Sequence, residues 1–246
     1  MCERLREAKI PTRVIPITGE TRRNLAITQT DGKRSVRLNA PGPNISAGDL
    51  RAAFRAVERE LSRARVLVLS GSLPPNVPID IYARLIRLAR KFGVPCALDA
   101  DDEVLRRGIM ARPWLVKPNL FEAERLLGRK IRDPGHAALE ILNRFGVEIV
   151  LLSLGKNGAI LAAKDVCLRA NSPPVRVQSA IGAGDSALAA FALHWLASHD
   201  TAESLRWAMA AGAACAMTPA TELCHRHDVK RLMKRVKVLD WRGHLK

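Results

Sequence analysis

Four short apolar runs, alternating with amphipathic stretches, constrain the fold of this chain more than any other feature. Val66-Leu67-Val68-Leu69 reads as a buried strand, after which Ile81, Leu85, Leu88 and Phe92 recur at helical spacing. Pro95-Cys96-Ala97-Leu98-Asp99 reads as a second strand, Trp114-Leu115-Val116 as a third and residues 148–152 as a fourth. A helix is expected over about 121–127, and another places Ala138, Ile141, Leu142 and Phe145 on one face. Strand–helix order of this kind builds a mostly parallel sheet covered on both faces, so the chain is expected to be α/β. Ligands of such sheets sit beyond the C-terminal strand ends. Here those ends carry Ser70-Gly71-Ser72, Asp99, Lys117-Pro118-Asn119 and Ser153-Leu154-Gly155.

Two segments break the alternation. Residues 24–39 read as a hairpin around an Asp31-Gly32 turn, and residues 159–170 as a second one turning near Lys164-Asp165. The C-terminal third reads as helical, with small-residue-rich stretches over 186–197 and 204–217. A length of 246 residues fits one sizeable domain, and no repeat or linker divides 1–246. No apolar run approaches the roughly 18 residues of a membrane helix. The opening Met1-Cys2-Glu3-Arg4 lacks the apolar stretch of a signal peptide. Five scattered cysteines without a CxxC pair fit reduced thiols, so a cytoplasmic location is expected.

Charge narrows the partners. The 40 Lys+Arg against 24 Asp+Glu leave +16, which attracts nucleic acid or phosphorylated metabolites alike. The basic residues are dispersed, dense only over 226–237, and aromatic residues make up 4%, little material for base stacking. The charge is therefore read as a solvated basic surface, with neither a nucleic-acid nor a membrane partner expected. Cys224, His225 and His227 match no common zinc spacing.

Three loops carry candidate chemistry. In Ile181-Gly182-Ala183-Gly184-Asp185-Ser186, two glycines let the chain turn tightly and bare its amides at a helix start. Such an arrangement binds an anion and stabilises charge on a transferred phosphoryl group. Asp185, on the first helical turn, is placed to take a proton from an attacking hydroxyl. The plain alternative is a glycine-rich loop with an acidic cap. In Lys117-Pro118-Asn119, with Glu122 three residues on, Asn119 suits a phosphate or a metal-bound water and Glu122 suits Mg²⁺ held through water. The alternative there is a helix-capping asparagine. Ser153-Leu154-Gly155-Lys156-Asn157-Gly158 offers serine and glycines to nucleotide phosphates or ribose, or else is a simple strand-to-hairpin turn.

The three loops together, in this order at successive strand ends, resemble the PfkB family of carbohydrate kinases. That resemblance implies the ribokinase-like three-layer α/β/α fold with a small β lid, here the hairpin at about 20–40. It implies Asp185 as catalytic base and the amides of Gly182, Ala183 and Gly184 as the anion hole. Asn119 and Glu122 match the family's NxxE element for Mg²⁺ and phosphate. Lys117, Asn119, Ser153, Gly155 and Gly158 would line the ATP site, with Ala213 on the adenine side. The loop 179–181 is similar to one that contacts a monovalent cation in some members.

Gly19-Glu20-Thr21-Arg22-Arg23-Asn24, Asn39-Ala40-Pro41-Gly42-Pro43, Ser70-Gly71-Ser72-Leu73-Pro74-Pro75 and Thr221-Glu222-Leu223-Cys224, with the nearby Asp228, resemble the branch that acts on sugar phosphates. That branch includes 1-phosphofructokinase, tagatose-6-phosphate kinase and the minor bacterial 6-phosphofructokinase. Arg22 and Arg37 would then reach the phosphate of the sugar, and Asn24 and Ser72 its hydroxyls or phosphate. Arginine forks suit an oxyanion. Without the family context these arginines read as solvated residues on a hairpin. The resemblance also implies a homodimer paired through the lid.

The likeness departs in two places. Family members open with a strand bearing a sugar-binding Asp, a lid segment and a Gly-Gly-x-x-Asn helix start. The sequence lacks these, so a truncated or mis-started kinase is the expectation and an inert nucleotide-binding remnant the alternative. Relatives also carry Ser-Gly where Asp101-Asp102 stands, and two carboxylates near a phosphate site need a metal or lysine to offset them.

Overall fold

The computed structural model describes residues 2–28 and 35–241. They form two compact units: Met1–Ala64 with Leu73–Pro78, and Arg65–Ser72 with Ile79–Lys246. In the first unit, helix α1 (Cys2–Glu7) precedes strands β1 (Leu25–Thr28) and β2 (Ser35–Leu38), and helix α2 (Ala47–Leu61) follows. The two strands pair antiparallel, Leu25 opposite Leu38 and Ile27 opposite Val36, as the expected hairpin requires. Its Asp31-Gly32 turn lies outside the described residues. Helix α2 starts on a reciprocal cap: Asp49 N–H donates to Ser46 Oγ and Ser46 N–H to the Asp49 carboxylate, both at 3.1 Å. Arg13 pairs with Glu60 near its end at 3.0 Å.

The second unit opens with the alternation read from the sequence. It runs β3 (Leu67–Ser70), α3 (Ile81–Lys91), β4 (Cys96–Asp99), α4 (Asp102–Ile109), β5 (Leu115–Val116), α5 (Leu120–Leu127), α6 (Pro134–Phe145) and β6 (Ile149–Ser153). The hairpin β7 (Ala159–Ala163) and β8 (Val166–Ala170) follows, then α7 (Ala183–Ser198), α8 (Thr201–Ala216), α9 (Arg226–Met233) and β9 (Val238–Asp240). Helix α3 buries Ile81, Leu85, Ile86 and Ala89, one face at helical spacing. Helix α6 begins at Asp133, whose carboxylate accepts from the amides of Gly135 and His136, and Pro134 stands on its first turn.

All seven strands of this unit form one sheet in chain order. β3 to β6 are parallel, while β6–β7, β7–β8 and β8–β9 are antiparallel. Strands β4, β5 and β6 are almost wholly buried, which explains their unbroken apolar runs. Trp114, Phe191, Leu151, Leu161 and Leu205 lie in the core that α7 and α8 close. Two elements depart from the sequence reading. Strand β9 stands where the tail was read as helical, and α4 was not anticipated. Three residues carry no period to read, and α4 is an eight-residue helix with two arginines in its last turn.

Among the described residues, no helix is long and apolar enough to cross a membrane. Cys96, Cys167, Cys215 and Cys224 are free thiols. Burial pushes Cys96 up to about 12 and Cys167 up to about 11, so both remain protonated.

Candidate functional site

The parallel register brings the candidate loops of the second unit into one row. Ser70 pairs with Asp99 at the ends of β3 and β4, and Lys117 N–H donates to Leu98 carbonyl at 3.0 Å. Beyond β5, Asn119 bridges to Ser153, whose amide donates to Pro118 carbonyl at 2.9 Å. Ser70, Asp99, Lys117, Asn119 and Ser153 therefore stand side by side at the C-terminal edge of the sheet, where α/β sheets hold ligands.

Helix α7 starts at this edge. Gly182 is its N-cap in the left-handed region, φ 78°, a conformation that glycine adopts without strain. Ala183 and Gly184 follow with their amides at the positive end of the helix dipole. Asp185, exposed on the first turn, lies 3.4 Å from Ser70 Oγ. The turn after β3 is fixed in its own right: the hydroxyl of Tyr82, the chain's one tyrosine, donates to the Ser70 and Gly71 carbonyls at 3.1 and 3.2 Å.

Below Asp185, the ammonium of Lys117 sits 2.9 Å from Asp99 Oδ2, both side chains nearly enclosed. Burial pushes the Asp99 carboxyl above the usual carboxylate range; Lys117 pulls it back, and Asp185 and Asp101 push it further up. Glu122 is raised chiefly by burial too, against the Asn119 amide and Lys117, with Asp99 and Asp101 adding to the rise. Asn119 and Glu122 form a reciprocal cap on α5: Glu122 N–H donates to Asn119 Oδ1 and Asn119 N–H to Glu122 Oε2, both at 2.9 Å. The capping alternative is thus realised, and the carboxylate keeps lone pairs for a ligand.

The electrostatics bear on Mg²⁺. Asp99 and Glu122 both feel the Lys117 ammonium, and Asp101 and Asp185 add negative charge beside them, a surplus that an unaccompanied nucleotide would worsen. Among the described residues no group of three acidic, histidine or cysteine side chains could cage a metal. The chemistry of the donor set, oxygen atoms from one or two carboxylates, fits a hydrated Mg²⁺ that arrives with phosphates. Asp102 is set apart by its pairing with Arg125, at a left-handed backbone position (φ 48°) that a glycine fills with less strain.

The remaining expected residues divide. Asn119, Ser153 and Gly155 line one cleft of about 370 Å³ with Phe121, Asn157 and Arg169. Gly158 serves the fold: a Cβ there would stand 1.8 Å from the Ala170 carbonyl oxygen. Ala213 is 5% exposed within the core, and Gly212 beside it faces the Ala183 carbonyl. Ser72 is exposed after β3. In the first unit, Asn24 Oδ1 accepts from the Ala40 amide at 3.2 Å and the Arg22 side chain lies across Gly42. Arg37 stands opposite Ala26 in the hairpin, its side chain outside what is described. Ser70 and Asp99 were legible as residues at ligand-bearing strand ends but not in a particular role, and Tyr82 carried no signal in the sequence.

A parallel sheet edge that sets an acidic residue over a glycine-opened helix and a buried lysine is the layout of a phosphoryl-transfer protein. The model of the pfkB family carbohydrate kinases matches residues 1–227. The ATP-dependent 6-phosphofructokinase isozyme 2 of Mycobacterium tuberculosis is 32% identical over 233 residues, 94% of this chain and 68% of that protein. The 1-phosphofructokinase of Bacillus subtilis is 29% identical over 95% of this chain and 76% of its own length. The crystal structure of Escherichia coli phosphofructokinase-2 in complex with potassium superposes with a TM-score of 0.85 at 30% identity, covering 95% of this chain and 77% of that one. This chain belongs to the PfkB family of carbohydrate kinases and has its ribokinase-like α/β fold.

Proposed function

We propose that the chain transfers the γ-phosphoryl group of ATP to a hydroxyl of a phosphorylated sugar. The observation that carries this reading is the position of Asp185: on the first turn of α7, directly after the amides of Gly182, Ala183 and Gly184 and beside the row of strand ends. Asp185 takes the proton of the attacking hydroxyl, and those amides meet the charge on the transferred group. Lys117, Asn119, Ser153 and Gly155 hold the nucleotide phosphates and ribose, while Gly158 shapes their loop and Ala213 backs the base. Glu122 and Asn119 would hold Mg²⁺ through water, and the ion would supply neutralisation of the phosphate charge. Arg22, Arg37, Asn24 and Ser72 are assigned to the phosphate and hydroxyls of the sugar, and loop 179–181 to a monovalent cation. The single kinase domain over 1–246, its lid at about 20–40 and a cytoplasmic location remain part of this proposal.

The acceptor is tested by coupled ADP release with Mg-ATP and fructose 6-phosphate, fructose 1-phosphate or tagatose 6-phosphate in turn. Turnover with one of them is expected, saturable in both substrates. ADP release at the same rate with no sugar phosphate present would contradict the assignment.

A further inference from the structure

Lys117 is one of four buried polar or charged residues among those described, at 7% exposure. Its ammonium lies between two groups: Asp99 Oδ2 at 2.9 Å, and Gly184, where a Cβ would stand 3.3 Å from Nζ. The second contact is the unusual one. A cation beside the first turn of a helix lies near the positive end of its dipole, an unfavourable place unless both act on a shared anion. Asp99 offsets that repulsion from below, and its own burial is unfavourable to its charged form. A buried ion pair adds little to stability against apolar residues of similar size, so packing alone is a weak reason for this one.

We propose that Asp99 is a positioning residue: its carboxylate holds the Lys117 ammonium against Gly184, so that the ammonium and the amides opening α7 converge on the terminal phosphoryl group of the nucleotide. This rests on the kinase reading above. It moves Lys117 from the general lining of the nucleotide site to the one phosphate that ATP has and ADP lacks. It also gives Gly184 a specific reason to be glycine, since a methyl group there would press on the ammonium. Asp101 and Asp185 face the Asp99 carboxylate but have no ion pair with Lys117, which leaves Asp99 as its anchor.

The test is calorimetric binding of Mg-ATP and Mg-ADP, which needs no turnover, to the wild type, Asp99→Asn, Lys117→Met and the double variant. The wild type is expected to prefer ATP to ADP. Asp99→Asn should lose about tenfold of that preference, the loss of one charge-assisted hydrogen bond. Lys117→Met should lose at least as much, and the double variant no more than Lys117→Met alone. Gly184→Ala, which leaves the carboxylate in place but displaces the ammonium, should reproduce the loss and serves if Asp99→Asn does not fold. Equal weakening of ATP and ADP would mark Asp99 as merely structural and overturn the proposal. So would additive losses in the double variant, or an unchanged preference in Asp99→Asn or Gly184→Ala while the wild type binds both nucleotides. A wild type that binds neither nucleotide would instead overturn the kinase reading, and the inference with it.

Discussion

Glu122, which we propose reaches Mg²⁺ through water, is held at some expense to the fold. Its carboxyl is raised by burial and by the neighbouring Asp99 and Asp101, so the folded state disfavours its charge. The sign follows from linkage: a group whose folded pKa lies above its unfolded value contributes most at low pH, and that contribution is lost as pH rises through the folded pKa. Glu122→Gln keeps a capping side chain on α5 while removing the charge. It is expected to leave the melting temperature of the nucleotide-free protein equal or higher at pH 7, with the difference shrinking toward pH 4. Its turnover should demand more Mg²⁺ than the wild type. A melting temperature that falls at pH 7 by more than it does at pH 4 would contradict this account. The residue itself was legible: Asn119 and Glu122 at a spacing of three announce either a cap or a metal element, and the structure displays the cap. The Asp99–Lys117 contact was not legible, because it joins two strands whose pairing only the sheet register determines.

At the scale of elements, the hairpin of β1 and β2 offers a second prediction. Leu25, Ile27, Val36 and Leu38 are directly opposed on one face, and all are more than half exposed. Two cross-strand apolar pairs on an edge hairpin form a surface that calls for a partner. A second copy of the same hairpin is the partner the family resemblance implies. Ile27→Lys is expected to convert a dimer into a monomer in sedimentation experiments, with no change in Mg-ATP affinity; a monomeric wild type would remove the pairing from the account. Strands β4 to β6 were legible because burial on both faces leaves apolar runs that end at loops of distinct composition; β3 was legible from its apolar run alone, since as an edge strand it leaves Val68 exposed. β9 was not, because three residues pairing with β8 carry no period of their own. Helix α7 was readable as a small-residue segment, yet its apolar character all round, with Leu193 71% exposed, gave no direction for its faces.

For the whole molecule, the charge of +16 is best understood against a site that is itself acidic. The basic residues are spread over helices such as α3, α4 and α9, and a broadly positive surface draws anionic substrates toward the protein. Locally, carboxylates outnumber the one buried ammonium, in keeping with the proposal that the nucleotide arrives with Mg²⁺. Fold class and the loops after β5 and β6 were legible because each follows an apolar strand, and the loop 181–186 because its two glycines open a helix. Which side chains of the loops meet was settled only by the register of β3 to β6 and by the direction of α7. The account stands on Asp185 as base, and one comparison tests it most directly: steady-state turnover and Mg-ATP affinity of Asp185→Asn beside the wild type, with the sugar phosphate that the wild type uses. Turnover is expected to fall by about 10²–10⁴-fold, with Mg-ATP affinity within about threefold of the wild type. Equal turnover in the two proteins would contradict the central claim.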